Sequence, residues 1–144
     1  TLVLTTTNGT RLLQMALDRG AKEIITGAFT NLSVICDHLM IMKQNVILAC
    51  AAWKDRVNME DSFFAGAVIT EVGRYFSINC DSSHIAASMY SKGKNDLFGF
   101  MKKNDASHYH RLMGFGLEKD IRYCLTPDLA NVLPQYDNGK LIIK

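Results

Sequence analysis

Residues 2–31 read LVLTTTNGTRLLQMALDRGAKEIITGAFTN and alternate between strand-like and helix-like segments. Residues 2–5 and 23–26 suit short strands, whereas residues 11–19 and 31–43 repeat apolar side chains at helical spacing. A further strand is predicted at residues 45–51, and a long helix is predicted from Glu60 to about Phe76. Strands that alternate with helices predict a sheet covered on both faces. The expected fold is a three-layer α/β/α domain with a mixed, largely parallel sheet.

The remainder of the chain is predicted to be helical first and extended afterwards. Residues 81–103 indicate two helices that separate near Asn95 and Asp96, and residues 107–115 indicate a third that ends at Gly116. Strands are predicted at residues 121–124, 131–133 and 141–143, the last after an Asp-Asn-Gly turn that suits a hairpin. Because 144 residues match the usual size of one domain, residues 1–144 are expected to form a single α/β domain.

The composition argues against several classes of protein. Hydrophobic residues make up 48% and charged residues 21%, as in soluble globular proteins. The sixteen Lys and Arg residues are scattered and the net charge is only +2, so no nucleic-acid partner is expected. The apolar run at residues 45–53 is far shorter than the ~20 residues of a membrane-spanning helix. Four cysteines without a Cys-x-x-Cys pair favour a reduced, cytoplasmic location.

A polar segment, TTTNGT at residues 5–10, joins the first predicted strand to the first predicted helix. Backbone N–H groups at the start of a helix can hold an anion, and the hydroxyls and glycine of Thr7, Asn8, Gly9 and Thr10 suit a phosphate. The lysine of a Walker P-loop is absent, which excludes a nucleotide-triphosphate loop. The alternative is that Asn8 or Thr10 merely caps the helix, since both residue types are preferred there.

A similar turn, GAFTN at residues 27–31, follows the second predicted strand. In open α/β sheets the carboxyl ends of the strands form the ligand-binding edge, so Asn31 is a candidate substrate-binding residue at the same edge. Asn31 is also a preferred N-cap residue, and from the turn alone that interpretation is the stronger one.

Two adjacent carboxylates, Glu60 and Asp61, begin the long predicted helix. Carboxylates at the same sheet edge as an anion loop are candidate catalytic residues and ligands of Mg²⁺, which phosphoryl chemistry uses. Acidic residues also favour helix N-termini for electrostatic reasons, so this spacing alone is equally consistent with capping.

A second polar cluster, SHYHR at residues 107–111, places two histidines and an arginine within one helical turn. Such a cluster could clamp a phosphate or supply a general acid. His108 and His110 are two residues apart and do not share a helical face, so an exposed, solvated helix is the preferred interpretation.

Taken in order, the motifs resemble one family, the 2-phosphosulfolactate phosphatases, over essentially the whole chain. The matching segments are Thr6-Thr7-Asn8-Gly9-Thr10, Gly27-x-x-x-Asn31, Ala49-Cys50-Ala51, Glu60-Asp61-x-x-x-Ala65-Gly66 and Gly116-x-x-x-Asp120-Ile121-x-x-Cys124-x-x-x-Asp128. The resemblance is to the C-terminal half of the family's enzymes. An N-terminal half with an Asp-x-x-Arg-Ala-Thr type motif is expected upstream, and the nucleophile or general base is expected there.

The resemblance implies a Mg²⁺-dependent phosphatase. Its substrate would be 2-phosphosulfolactate or a similar small phosphorylated acid, and its products 3-sulfolactate, for coenzyme M synthesis, and phosphate. Glu60 and Asp61 would bind Mg²⁺ and take part in catalysis, while Thr7, Asn8, Gly9, Thr10 and Asn31 would bind the substrate. The alternative is a small-anion binding module that holds sulfolactate or phosphate without turnover. A homo-oligomer is compatible with the sequence.

One position departs from the family pattern. Where the family usually has Cys-Ala-Gly after the third strand, this chain has Cys50-Ala51-Ala52, followed by Trp53. A bulkier loop is therefore expected beside the pocket.

Overall fold

Helices account for most of the ordered structure. The computed structural model describes residues 6 and 8–143. In this part of the chain the helices are α1 (Gly9–Asp18), α2 (Leu32–Met42, preceded by the short 3-10 helix Phe29–Asn31), α3 (Met59–Val72), α4 (Asp81–Gly93), α5 (Leu97–Lys103), α6 (Ser107–Gly114) and α7 (Glu118–Cys124). They are followed by an antiparallel hairpin of β1 (Pro134–Asp137) and β2 (Lys140–Ile143).

The predicted helices up to α6 are confirmed, although α3 ends at Val72, earlier than expected. Local signals explain their boundaries. The Asn58 side chain accepts a hydrogen bond of 2.9 Å from the Asp61 backbone N–H at the start of α3. The Asp96 side chain accepts one of 2.8 Å from Gly99 N–H at the start of α5, in the predicted break between α4 and α5. Each cap satisfies a backbone donor that the helix itself leaves unpaired.

The core lies where α2, α4 and α5 pack against α3. The side chains of Phe63, Val68 and Met101 are completely buried there. The small residues of α3 permit close helix packing, because a Cβ atom at Gly66 would overlap the carbonyl oxygen of Ala86 on α4. Burying a large apolar side chain stabilises a fold by about 1.5–3 kcal/mol, so this contact region holds α3 rigidly.

The predicted hairpin is confirmed. Asn138 and Gly139 both have positive φ, 45° and 84°, which is the backbone of the tight turns that connect antiparallel strands. Residues 24–26 run antiparallel along β1, with Thr26 N–H donating to Pro134 O at 2.9 Å and Tyr136 N–H donating to Ile24 O at 2.9 Å. The strand predicted at residues 23–26 is therefore present as a short pairing, centred on the bridge between Ile25 and Gln135.

Three other strand predictions differ from the structure. Residues 121–124 belong to helix α7, where Arg122 pairs with Glu118 one turn earlier and Ile121 is buried. Residues 131–133 and 45–51 are not in strands, and Ile47 is 91% exposed. The strand predicted at residues 2–5 lies outside the described residues. The three-layer α/β/α fold therefore stays a prediction.

None of the described helices has the length and apolar character needed to cross a membrane.

Candidate active site

The starts of α1 and α3 meet at a single residue, Ala52. The Asn8 side-chain amide donates a hydrogen bond of 2.7 Å to the carbonyl oxygen of Ala52, and the Asp61 carboxylate accepts one of 2.8 Å from the Ala52 N–H. Asn8 occupies the N-cap position of α1 but makes no capping bond with its side chain. The Asn8 side chain therefore contacts the loop at Ala52 and does not cap α1, and the predicted proximity of Asn8 and Asp61 is confirmed.

The loop that presents Ala52 has an unusual backbone. Ala52, Lys54 and Asp55 have φ values of 62°, 52° and 56°, in the left-handed region that glycine favours. Trp53 and Arg56 exchange two backbone hydrogen bonds of 3.0 Å across the turn. Non-glycine residues in this region cost of order 1–3 kcal/mol each, and such conformations are concentrated at functional sites.

Thr6 and Thr10 form two reciprocal hydrogen bonds at the start of α1. Thr10 N–H donates to Thr6 Oγ1 at 3.3 Å, and Thr6 N–H donates to Thr10 Oγ1 at 3.1 Å. A side chain at Gly9 would crowd Thr6 Oγ1, so the turn favours glycine. The predicted substrate-binding residue Thr7 lies outside the described residues.

The side chain of Arg11, on the first turn of α1, forms an ion pair with Asp55 at 2.9 Å and so connects α1 to the loop of residues 52–56.

The Asn31 side chain is buried and forms hydrogen bonds with three backbone groups. It is only 4% exposed, and its side-chain oxygen accepts a hydrogen bond of 2.8 Å from Ala28 N–H. Its amide nitrogen donates to the carbonyl oxygens of Thr26, at 3.3 Å, and Val132, at 3.1 Å. Both amide hydrogens are thereby used, and the side chain links the 27–31 turn to the segment that enters β1.

Glu60 projects toward α6. Its Oε1 lies 3.1 Å from His108 Nδ1, but the pair does not meet the geometry of a hydrogen bond. Both carboxylate oxygens of Glu60 are therefore buried without a hydrogen-bond partner in the described part of the chain. A carboxylate buried without hydrogen bonds is costly, and His108 is its one described ion-pair neighbour, which makes Glu60 a candidate ligand for a cation.

His108 differs from the exposed helix residue that its sequence predicted. Its side chain is 27% exposed, and its ring stacks on Trp53 with centroids 6.1 Å apart and planes 18° apart. Arg111 Nη1 lies 3.4 Å from His108 Nε2. His110 remains exposed beside Asp105, as predicted. Of the two histidines, only His108 therefore belongs to this site.

Two cations lie over the ring of Trp53. Lys54 Nζ is 4.6 Å and the guanidinium carbon of Arg111 is 5.3 Å from the ring centroid. Cation–π distances of this size are attractive. The site therefore contains two carboxylates, Glu60 and Asp61, and two basic side chains that lie over the ring next to Ala52.

Cys50 borders the same carboxylate. Partial burial, followed by the negative charge of Asp61, raises the pKa of the Cys50 thiol above its ordinary value. The thiol is therefore neutral near pH 7, which makes Cys50 a poor nucleophile.

Comparison with known proteins agrees with the motifs. A sequence model described as 2-phosphosulpholactate phosphatase matches residues 1–139. The chain belongs to the 2-phosphosulpholactate phosphatase family. It is 35% identical over 144 residues to a "Probable 2-phosphosulfolactate phosphatase" of Thermotoga petrophila and 36% identical to the one of Thermotoga maritima. A third, from Clostridium tetani, is 33% identical over 140 residues. The match covers 100%, 100% and 96% of this chain, but only 60%, 60% and 58% of these relatives.

Membership of the 2-phosphosulpholactate phosphatase family bears on the unusual loop. Ala52 stands where a glycine was expected from the family pattern, and its φ of 62° is one that glycine adopts without strain. The expected bulkier loop is present, and Trp53 after Ala52 provides the surface on which Lys54, His108 and Arg111 lie.

Sequence reasoning missed Trp53, Lys54 and Arg111 as site residues of this family member. A sequence signal existed for Arg111, which lies in the cluster at residues 107–111, but nothing in the sequence places α6 beside the loop of residues 52–56. A separate cavity of about 350 Å³ is lined by residues that include Cys36, Glu71 and Asp128, and it does not include Asn8 or Asp61.

Proposed function

We propose that the protein is a Mg²⁺-dependent phosphatase that hydrolyses 2-phosphosulfolactate, or a similar small phosphorylated acid, to 3-sulfolactate and phosphate. The observation that carries the proposal is the shared contact of Asn8 and Asp61 with Ala52. It brings the start of α1, with its positive helix dipole, beside the carboxylate of Asp61, which is adjacent to Glu60 on α3. A phosphate and a divalent cation require these two kinds of group side by side. The family match supports the choice of substrate.

The two carboxylates fit magnesium. Mg²⁺ keeps several waters and is usually bound by one or two carboxylates together with substrate phosphate oxygens, so a larger cluster is not required. Within the described residues no group of three His, Cys, Asp or Glu side chains could hold a metal. Glu60 fits because its buried oxygens have no hydrogen-bond partner among the residues that the structure describes, and Asp61 fits because, in that same part of the chain, only its Oδ2 is engaged, by Ala52. When bound, the ion would neutralise phosphate charge as the bond to phosphorus breaks.

The residues of the chain itself would position the phosphate. Asn8 donates to the carbonyl of Ala52 and Asp61 accepts from its N–H, so these two hydrogen bonds tie the loop to the starts of both helices. Phosphoryl transfer depends mainly on such positioning and on charge stabilisation. The neutral Cys50 thiol is unsuited to attack phosphorus. We expect the nucleophile or general base in the part of the relatives' length that this chain does not cover, and an N-terminal half is therefore the proposed partner of these residues.

The experiment measures phosphate release from 2-phosphosulfolactate with Mg²⁺ by the full-length protein, comparing wild type, Asp61→Asn and Glu60→Gln. Asn at position 61 can still accept the Ala52 N–H, so the variant removes charge while keeping the contact. We expect kcat/KM to fall at least about 100-fold, because the ion's stabilisation is worth several kcal/mol. Asp81→Asn is the matched control, since Asp81 is an exposed acidic residue in the first turn of α4.

Unchanged rates for Asp61→Asn would remove this residue from the mechanism. Tight binding of 3-sulfolactate by the wild type, without any phosphate release, would favour the anion-binding module instead.

A further inference from the structure

Lys54 and Arg111 come from different parts of the chain and converge on one aromatic ring. Lys54 lies in the turn of residues 53–56, and Arg111 lies in the last turn of α6. Both are exposed, and both lie over Trp53, at 4.6 Å and 5.3 Å from its centroid. Arg111 also lies 5.8 Å from the ring centroid of Phe115. The aromatic contacts restrict two long side chains that would otherwise sample many rotamers.

Neither of these cations is neutralised within the described part of the chain. Among the Lys and Arg side chains described, ion pairs are formed by Arg11, with Asp55 at 2.9 Å, and by Arg122, with Glu118 at 2.7 Å. The described ion pairs include neither Lys54 nor Arg111. Two positive charges restrained close together without an anion are mutually repulsive, and a bound anion relieves that repulsion.

These cations lie directly beside the proposed phosphate and magnesium site. Trp53 follows Ala52, which contacts both Asn8 and Asp61. His108, whose ring stacks on Trp53, lies 3.1 Å from Glu60. A small molecule whose phosphate lies at Asn8 and Asp61 can therefore reach Lys54 and Arg111 with a second group.

We propose that Lys54 and Arg111, supported by Trp53, bind the second anionic group of the substrate, its carboxylate or sulfonate. The proposal rests on the proposed phosphatase function and narrows the substrate class to small phosphate esters that carry a further negative charge. The planar guanidinium of Arg111 matches the paired oxygens of a carboxylate or sulfonate, and Lys54 adds a point charge. Phosphate monoesters without a second anion leave this subsite unused.

The kinetic experiment compares two substrates for the full-length protein. One is 2-phosphosulfolactate, and the other is p-nitrophenyl phosphate, which has no second anion. For Lys54→Gln and Arg111→Gln we expect kcat/KM with 2-phosphosulfolactate to fall about ten-fold each, mainly through KM, because a hydrogen bond to a charged group is lost. With p-nitrophenyl phosphate the change should stay below about two-fold. Lys92→Gln on α4, remote in sequence from this loop and from α6, is the matched control.

A binding experiment separates this inference from the proposed function. Trp53 is the only tryptophan in the sequence, so its fluorescence reports directly on the subsite. We expect 3-sulfolactate to change the emission of the wild type, with an affinity that Arg111→Gln weakens about ten-fold and Lys92→Gln leaves unchanged. If no substrate is hydrolysed but this pattern holds, the phosphatase function fails and the anion subsite stands. If sulfolactate leaves the emission unchanged, or if both substrates lose rate equally, the subsite is overturned.

Discussion

Asn8 and Asp61 both form hydrogen bonds with Ala52: Asn8 donates to its carbonyl oxygen, and Asp61 accepts from its N–H. The two residues are more than fifty positions apart, yet the contact aligns the starts of α1 and α3. The loop between them gains a fixed position although its backbone is strained at residues 52, 54 and 55. The site is therefore built on helix ends held by one peptide unit.

Removing the Asn8 side chain should loosen this arrangement. Asn8→Ala leaves the partly buried carbonyl of Ala52 without its donor, so we expect the free energy of unfolding to fall by about 1 kcal/mol. Phosphatase activity should fall more than this loss of stability explains, since Ala52 also positions Asp61. Urea denaturation and phosphate release measure the two effects, and Asn45→Ala, at an exposed position, is the control. An activity equal to that of the wild type would show that the contact is dispensable.

Restoring glycine at residue 52 should stabilise the protein. The φ of 62° is strained for alanine and relaxed for glycine, and the gain exceeds the larger chain entropy of glycine in the unfolded state. We expect Ala52→Gly to raise the free energy of unfolding by about 0.5–1 kcal/mol. The matched control is Ala21→Gly, at an exposed position that is absent from the positive-φ residues, where the same change should destabilise. A loss of stability at both positions would contradict the strain at Ala52.

Asn31 offers a test between structural and substrate-binding roles. Asn31→Ala removes one acceptor and two donors from buried backbone groups, so we expect a loss of about 3 kcal/mol of stability. Asn31→Asp should be at least as damaging, because it directs a carboxylate at two carbonyl oxygens. The measurement is the urea midpoint, with the exposed Asn131→Ala as the control. A predicted role in substrate binding would instead appear as a raised KM at unchanged stability.

Sequence reasoning succeeded where structure is decided locally. Asn58 and Asp96 cap helices that periodicity alone predicts, and Asn138-Gly139 sets the hairpin. It failed at residues 121–124 because Ile121, Tyr123 and Cys124 imitate a strand, while the helical signal was the four-residue spacing of Glu118 and Arg122. At the site, Asn8 and Asp61 follow from the strand-to-helix order. Trp53, Lys54 and Arg111 do not, because their meeting depends on how α6 packs against the loop.

The segment of residues 45–51, which the sequence predicts to be a strand, tests the proposed three-layer sheet. Its apolar, β-branched sequence is typical of a strand. In the described structure, however, it does not pair with another strand, and Ile47 is 91% exposed. The match covers only 60% of a relative's length. We propose that, in the full-length protein, residues from the part not covered here form a strand that pairs with this segment. Hydrogen exchange should then be slow at residues 46–50 in the full-length protein and fast in the 144-residue chain alone. The amides of β2 serve as an internal reference, and fast exchange in both proteins would contradict the added strand.

Ionisation of the Cys36 thiol should lower the free energy of unfolding in alkaline solution. Burial, with smaller contributions from Glu71, Asp37 and Asp128, raises the pKa of its thiol from 9.0 to about 11. Tyr90, whose pKa is also raised, faces the same region. Between pH 9 and 11 the unfolded chain releases the Cys36 proton while the folded chain retains it. The folded state then binds more protons, so its stability decreases as pH rises, by up to about 1.4 kcal/mol per pH unit.

The measurement is the free energy of unfolding at several values between pH 8 and 11, for wild type and Cys36→Ala. The variant loses stability at every pH through its small cavity, but that offset does not depend on pH, and the contribution of Tyr90 remains in both proteins. We therefore expect the difference between the two curves to narrow above pH 9, because only the wild type has a Cys36 thiol whose proton the folded chain retains and the unfolded chain releases. Cys124→Ala, which removes an exposed thiol, should run parallel to the wild type. Parallel curves for Cys36→Ala as well would show that this thiol ionises equally in the folded and unfolded chains.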